Sequence, residues 1–145
     1  AMGDIHATNS KALKKMFSLN FDTAYNIARP LFQHMLQNGY GRIVFIGSRP
    51  AMVAAEGKSK LGYTLSKAML FKLAELLNAE AKGKNVVTSV LAPSTIDTAE
   101  NRESMPDANF ENWVKAEQIA DVLEFICSEK GDAVREPVYK VYNNA

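Results

Sequence analysis

Tyr63 and Lys67 stand four positions apart in a stretch of helical character, so both project from one helix face near its N-terminal end. A free phenol loses its proton at about pH 10, and an ammonium beside it favours the phenolate, which suits such a pair to proton transfer nearer neutrality. The matching chemistry is giving or taking the proton that accompanies a hydride transfer. A Tyr and a Lys at this spacing occur by chance in many proteins, so the pair needs a setting. Ser48 supplies part of it. It ends a predicted strand, where open α/β sheets place their ligand chemistry, and its hydroxyl is suited to holding a substrate oxygen beside the phenol. Other chemistries fare poorly. His6 and His34 have no Cys, Asp or Glu at ligand spacing, so no metal site is expected. No Gly-x-Ser-x-Gly elbow is present, because Ser48 follows Gly47 but precedes Arg49 and Pro50.

An alternation of helices and strands has to position these side chains. Asn9 or Ser10 can cap a helix over 10–38, in which Leu13, Met16, Phe17, Ala24, Ile27, Ala28, Leu31, Phe32 and Met35 recur at helical spacing before Gly39. Pro30 removes one backbone donor inside this pattern, so a kink or opened turn is expected there within one continuous helix. Residues 42–48 read as a short apolar strand covered on both faces. The stretch 49–60, with Pro50 and Gly57, reads as a loop. A helix over 61–81 carries two apolar faces: Leu65, Met69, Leu73 and Leu76 on one, Leu70, Ala74, Leu77 and Ala81 on the other. One suits the sheet and the second a partner subunit. A strand over 85–92 stops at Pro93, and a polar, irregular loop follows over 94–114. A helix over 116–128 sets Ala116, Ile119, Ala120, Leu123, Ile126 and Cys127 on one face, which makes Cys127 an inert core thiol. A strand over 137–142 follows. This order predicts an α/β fold, the last three strands of a doubly wound parallel sheet with helical crossovers.

The composition leaves few other function classes open. Seventeen basic and sixteen acidic residues are spread along the chain for a net charge of +1, so no basic stripe or acidic tail advertises nucleic acid or a membrane surface. The longest apolar runs are far shorter than a bilayer span. A single cysteine excludes an internal disulfide framework and fits a reducing compartment, so a cytoplasmic protein is expected.

The ordered set Leu19-Asn20-Phe21, Arg29-Pro30, His34-Met35, Gly41-Arg42-Ile43-Val44 through Ser48, Tyr63-Thr64-Leu65-Ser66-Lys67 and Ala92-Pro93 resembles the short-chain dehydrogenases/reductases over nearly the whole chain. The resemblance implies a Rossmann-like fold and an NAD- or NADP-dependent oxidoreductase acting on a small-molecule carbonyl or alcohol. It makes Tyr63 the catalytic acid/base and Lys67 the residue that favours its phenolate and bonds the nicotinamide ribose. It makes Ser48 the residue that orients the substrate oxygen. Asn20 would hold a water that links Lys67 to solvent, while Pro93, Ile96 (through its backbone) and Thr98 fall around the nicotinamide carboxamide and pyrophosphate. The family has Pro-Gly where this chain has Pro93-Ser94, a departure that bears on the loop covering the nicotinamide. The stretch Ile96-Asp97-Thr98, with Asn101-Arg102, Met105-Pro106, Ala108 and Trp113, looks like the corresponding loop of dihydropteridine reductases, which implies a flat quinonoid heterocycle as a second substrate class. Those enzymes do not use the serine found here as Ser48. Met105 and Trp113 have an alternative reading as packing anchors for the loop.

The family's glycine-rich cofactor loop, Thr-Gly-x-x-x-Gly-x-Gly, occurs nowhere in the sequence. Residues 1–145 are therefore expected to form one partial domain, its catalytic half, with about 80 or more residues upstream by the usual size of βαβ units. Surplus apolar surface on the helices at 10–38 and 61–81 predicts a homo-oligomer, a dimer or tetramer by the resemblance. The rival reading is a non-catalytic, truncated dehydrogenase-like interaction module, which has no physical need for Asn20, Ser48, Tyr63 and Lys67 together.

Overall fold

The computed structural model describes residues 3–144. Asn9 starts the first helix, α1 (Ser10–Phe17), by accepting the Ala12 N–H at 2.9 Å, which satisfies one of the orphan donors of the first turn. The chain continues through a single wide π turn, Ser18–Asp22, into α2 (Thr23–Asn38), which ends at Gly39 with φ of 75°. Only a residue without Cβ takes that angle freely. The expected opening at Pro30 is not where the irregularity lies: α2 runs on past Pro30, and the wide turn is at Ser18–Asp22. Pro30 cancels one donor but holds a helical φ. A π turn inserts an extra residue and re-aims the side chains around it, which here include Asn20.

Three parallel strands follow in the order β1–β2–β3: β1 (Tyr40–Ile46), β2 (Asn85–Pro93) and β3 (Val138–Val141). Tyr40 lies opposite Asn85 and Ile46 opposite Leu91. β2 reads as a buried strand should, since all its residues after Asn85 are covered. β1 is not covered on both faces as its apolar run suggested; only Gly41 and Phe45 are buried. It is an edge strand among the described residues, with a neighbour on one side only. Pro93 pairs within β2 and does not stop it. Its missing N–H costs no bond to β3, because on that side the next residue donates, Ser94 N–H to the Val141 carbonyl at 3.0 Å.

Between β1 and β2 the long helix α4 (Leu61–Glu80) packs on β2. The segment before it is more ordered than a plain loop: a 3-10 turn at Arg49–Ala51 and the short helix α3 (Ala54–Gly57) occupy it. Leu70 and Ala74 of α4 join Ala28 of α2, Phe45 and Val90 in one core cluster. Leu65, Met69 and Leu76 on the other side of α4 are exposed. Asn78 fastens α4 to β2, donating to the Thr88 carbonyl at 2.7 Å and accepting the Thr88 N–H at 2.8 Å. At the opposite end of the sheet Arg42, its side chain 5% exposed, bonds Asn85 and pairs with Asp132 at 2.7 Å.

The loop over 94–114 also holds more structure than its polar sequence suggested. It contains α5 (Ala99–Ser104), a 3-10 turn at Phe110–Asn112 and a parallel bridge between Ile96 and Val114. The last helix, α6 (Ala116–Cys127), packs against β1 and buries only Ile126. Cys127, expected in the core, is exposed. It adjoins Ile126 in sequence, and the helix turn of about 100° per residue carries it off the inward line. Among the described residues no helix is long and apolar enough to cross a membrane.

A Cβ at Gly47 would lie 2.6 Å from Val90 Cγ1 and 2.9 Å from the Phe71 ring. Gly47→Ala is therefore expected to reduce the unfolding free energy by about 1–3 kcal/mol, the usual cost of overpacking. A urea unfolding curve checks this, and an unchanged midpoint would mean that Phe71 swings aside freely.

Candidate active site

Ser48 lies two residues past β1, and Gly47 between them still donates to the Leu91 carbonyl at 2.8 Å. Parallel pairing thus carries Ser48 and the Pro93-Ser94 segment to the same edge of the sheet. Ser48 is 5% exposed, and its Oγ is a buried polar atom without a hydrogen-bond partner. Such an orphan is costly unless something else satisfies it. One other atom among the described residues shares this state, Thr88 Oγ1 in the middle of β2.

The turn after Ser48 leads directly to Tyr63. Arg49–Ala51 packs on α4, and Gly57 is wedged where a Cβ would stand 2.7 Å from the Pro50 carbonyl and from Thr64. Thr64 Oγ1 donates to the Gly57 carbonyl at 3.1 Å, so the residue beside Tyr63 is tied to the segment carrying Ser48. Tyr63 and Lys67 are both half-buried, and the Lys67 Nζ sits 6.0 Å from the Tyr63 ring centroid. Lys67 donates to the Ile46 carbonyl at 2.7 Å. The Gly47 N–H belongs to the same peptide unit and points at β2, so this carbonyl points the other way, toward the outer edge of β1. Burial pushes the Lys67 ammonium below its ordinary range.

Asn20 joins this group from the π turn. Its Nδ2 donates to Ser66 Oγ at 3.0 Å, and Ser66 Oγ donates to the Tyr63 carbonyl at 2.8 Å. Asn20 and Lys67 line one cavity of about 450 Å³ between α2 and β1. Tyr63 and Ser48 are not part of that lining. Pro93 is buried at the end of β2, and Ile96 is bridged to Val114 with its carbonyl accepting Asn101 Nδ2 at 2.8 Å. Thr98 caps α5 through its Oγ1, which accepts the Asn101 N–H at 3.2 Å. Of the two loop anchors, Trp113 is buried and stacked at a tilt on Phe110 with centroids 4.8 Å apart, whereas Met105 is exposed.

Two contributors were not singled out from sequence. Ser66 looked like a filler inside the Tyr-to-Lys turn, although a small polar residue on a buried helix face is a usable signal. The segment after β3 is the second. Arg49 bonds Glu56 and lies 5.4 Å from the Tyr142 ring centroid, and Asn143 donates to the carbonyls of Glu111 and Trp113. The chain end thereby links the turn beyond Ser48 to the loop over 94–114, a contact that no local pattern announces.

The comparisons with known proteins agree with this fold. The family model described as short chain dehydrogenase matches residues 1–109. A short-chain type dehydrogenase/reductase from Picea abies is 27% identical over 143 residues, covering 92% of this chain and 52% of its own length. The 2-(R)-hydroxypropyl-CoM dehydrogenase of Xanthobacter autotrophicus is 26% identical, covering 88% and 54%. Among solved structures, gluconate 5-dehydrogenase from Burkholderia cenocepacia, in complex with NADP and tartrate, superposes with a TM-score of 0.85 at 21% identity, over 99% of this chain and 59% of that one. The chain spans about half the length of the curated relatives it matches.

Asp97 accepts from Arg102 at 2.6 and 2.8 Å, and this hydrogen bond holds its carboxyl below the usual carboxylate range. A depressed carboxylate contributes order that is present above its unfolded range and lost as pH falls through the folded value. Acidification is expected to lower the amide protection factors, the exchange rates corrected for the intrinsic rate at each pH, over residues 97–105, and Asp97→Asn to remove that pH dependence. Equal pH profiles in the two proteins would deny the pair any role in ordering the loop.

Proposed function

This chain belongs to the short-chain dehydrogenase family, and on that premise we propose that it carries the proton-transfer side of a nicotinamide-dependent oxidoreduction, with Tyr63 as the acid/base. The observation that carries the reading is the buried, unpartnered Ser48 hydroxyl, joined through the packed Arg49–Gly57 segment to the turn bearing Tyr63 and Lys67. A carbonyl or alcohol oxygen of a small substrate accepts from or donates to Ser48, which holds it for the Tyr63 hydroxyl. Tyr63 gives its phenolic proton to the substrate oxygen when the carbonyl carbon is reduced and takes the hydroxyl proton when the alcohol carbon is oxidised. Lys67 keeps a positive charge beside that phenol. Asn20, sharing the cavity with Lys67, holds the water that passes protons to solvent.

The cofactor, NAD or NADP, supplies or receives the hydride. The residues present suit its nicotinamide-ribose end. Lys67 is the ribose donor, and the Ile96 N–H has no partner among the described residues, which leaves it open to the carboxamide. Pro93 and Thr98 border the same end. A quinonoid heterocycle is the second substrate class, favoured by the buried Trp113 beside Phe110 in the covering loop.

The other half of the sheet lies against the outer edge of β1, where Leu19 of the π turn and Ile27 and Leu31 of α2 stand exposed around the cavity. That half brings the glycine-rich turn for the pyrophosphate. A second copy covers the exposed Leu65, Met69 and Leu76 of α4.

In the full-length protein, Tyr63→Phe is expected to leave the fold intact and lower turnover at least about 100-fold, the scale of general acid catalysis. Near-normal turnover would end the assignment. Lys67→Met is expected to weaken cofactor affinity as well as turnover. The 145-residue chain alone is expected to bind NADH and NADPH poorly, as read by fluorescence titration; tight binding would show that the pyrophosphate needs no second half.

A further inference from the structure

The Val114 N–H is drawn to the Thr95 carbonyl at 2.9 Å, so the Glu111 carbonyl three residues before it loses the donor that would continue the Phe110–Asn112 turn. Asn143 supplies the replacement. Its Nδ2 donates to the Glu111 carbonyl at 3.1 Å and to the Trp113 carbonyl at 2.9 Å, which uses both protons of the amide. The position calls for a residue that tolerates a φ of 52° and carries two donors. Asparagine meets both needs, whereas aspartate has the shape without the donors. Tyr142, the residue before it, is held from the other side. Its ring lies 5.4 Å from the Arg49 guanidinium, which Glu56 fixes through Nε at 2.9 Å, and its hydroxyl stands 3.9 Å from Met52 Sδ. Arg49 follows β1 and Tyr142 follows β3, so this contact spans the width of β2. The end of β2 is tied in as well, through Ser94 Oγ donating to the Tyr142 carbonyl at 2.9 Å.

From this double anchorage, and resting on the reading of Ser48 as the residue that holds the substrate oxygen, we propose that Tyr142 and Asn143 are positioning residues that couple the turn beyond Ser48 to the root of the 94–114 segment at Trp113. One planar peptide joins the two residues, so a displacement of Arg49 that moves Tyr142 also moves the amide under Trp113. Ser48 has no side-chain partner among the described residues and takes its place from Gly47 and from this turn. Its separation from the 94–114 segment is therefore set through the chain end, and the two do not adjust independently.

Trp113 is the only tryptophan of the chain and is buried, so its emission reports on the root of the segment. The test is acrylamide quenching of Trp113 in the full-length protein, isolated as the difference from Trp113→Phe. Arg49→Met alters neither Trp113 nor Asn143, and it is expected to raise the quenching constant. Tyr142→Ala is expected to do the same, while Tyr142→Phe, which keeps the ring, restores the wild-type value. Asn143→Asp is expected to raise the constant by itself, and adding Arg49→Met to it to change nothing more, since both act through one amide. If Asn143→Asp does not fold, Asn143→Gly, which keeps the positive φ and removes the amide, takes its place in the cycle. An unchanged constant in folded Arg49→Met, or additive effects in the double variant, would overturn the proposal. No substrate or cofactor enters this measurement. Full turnover in Ser48→Ala would remove the substrate-oxygen reading and leave the coupling result standing.

Discussion

Gly47 donates to the Leu91 carbonyl while Phe71 of α4 and the side chain of Val90 close over the space that a side chain would fill. The rest of the site depends on this close approach of a helix to the ends of two parallel strands. It lets α4 lie low enough for Leu70 and Ala74 to share a core with Phe45 and Val90, and it fixes the height of Tyr63 and Lys67 above the sheet edge. Asn78 sets the same helix from its other end by clasping the Thr88 backbone. A helix held at both ends has little freedom to slide, so the side chains of its first turns keep their positions.

Two polar groups at the site are left short of partners in ways that bear on chemistry. Ser48 has a buried hydroxyl with no partner among the described residues, and Lys67 keeps an ammonium at a cost from burial, relieved by the Ile46 carbonyl. That carbonyl faces the outer edge of β1, where a neighbouring strand would supply a backbone donor. Lys67 thus fills the role of an edge donor, and its position is coupled to whatever lies along that edge. Elsewhere in the fold Arg42 bonds Gly41, Asn85 and Asp132 and Ser89 donates to the Glu136 carbonyl, while Thr88 Oγ1 in the middle of β2 shares the unpartnered state of Ser48.

The segment over 94–114 and the chain end behave as one unit. Asn143, which adopts a positive φ of 52° that asparagine tolerates, reaches the carbonyls of Glu111 and Trp113. Ser94 donates to the Tyr142 carbonyl, and the Tyr142 ring faces Arg49. The segment is therefore anchored at its start, at Trp113 and through the last residues described. Its irregular appearance in sequence reflects side-chain-to-backbone bonds that replace a regular ladder.

The sequence by itself determined the order of helices and strands, the parallel α/β class and the candidates Tyr63, Lys67 and Ser48, because periodicity and motif spacing are local properties, while Asn20 became a candidate only through the family resemblance. It located α4 and β2 to within a residue or so, since a long periodic helix and a continuous apolar strand have strong signals. Tertiary structure alone decided the rest. Whether β1 is covered on both faces depends on neighbours, and an apolar run reads alike at an edge and in the middle of a sheet. The π turn at Ser18–Asp22, displaced from Pro30, follows from packing and from the bond between Asn20 and Ser66, residues distant in the chain. Cys127 lies outside the core because α6 presents only a narrow line to the sheet, which a one-dimensional pattern cannot measure. The direction of the Ser66 hydroxyl, and with it the orientation of the Asn20 amide, is fixed only when the three groups meet in space, Ser66 donating to the Tyr63 carbonyl and accepting from Asn20.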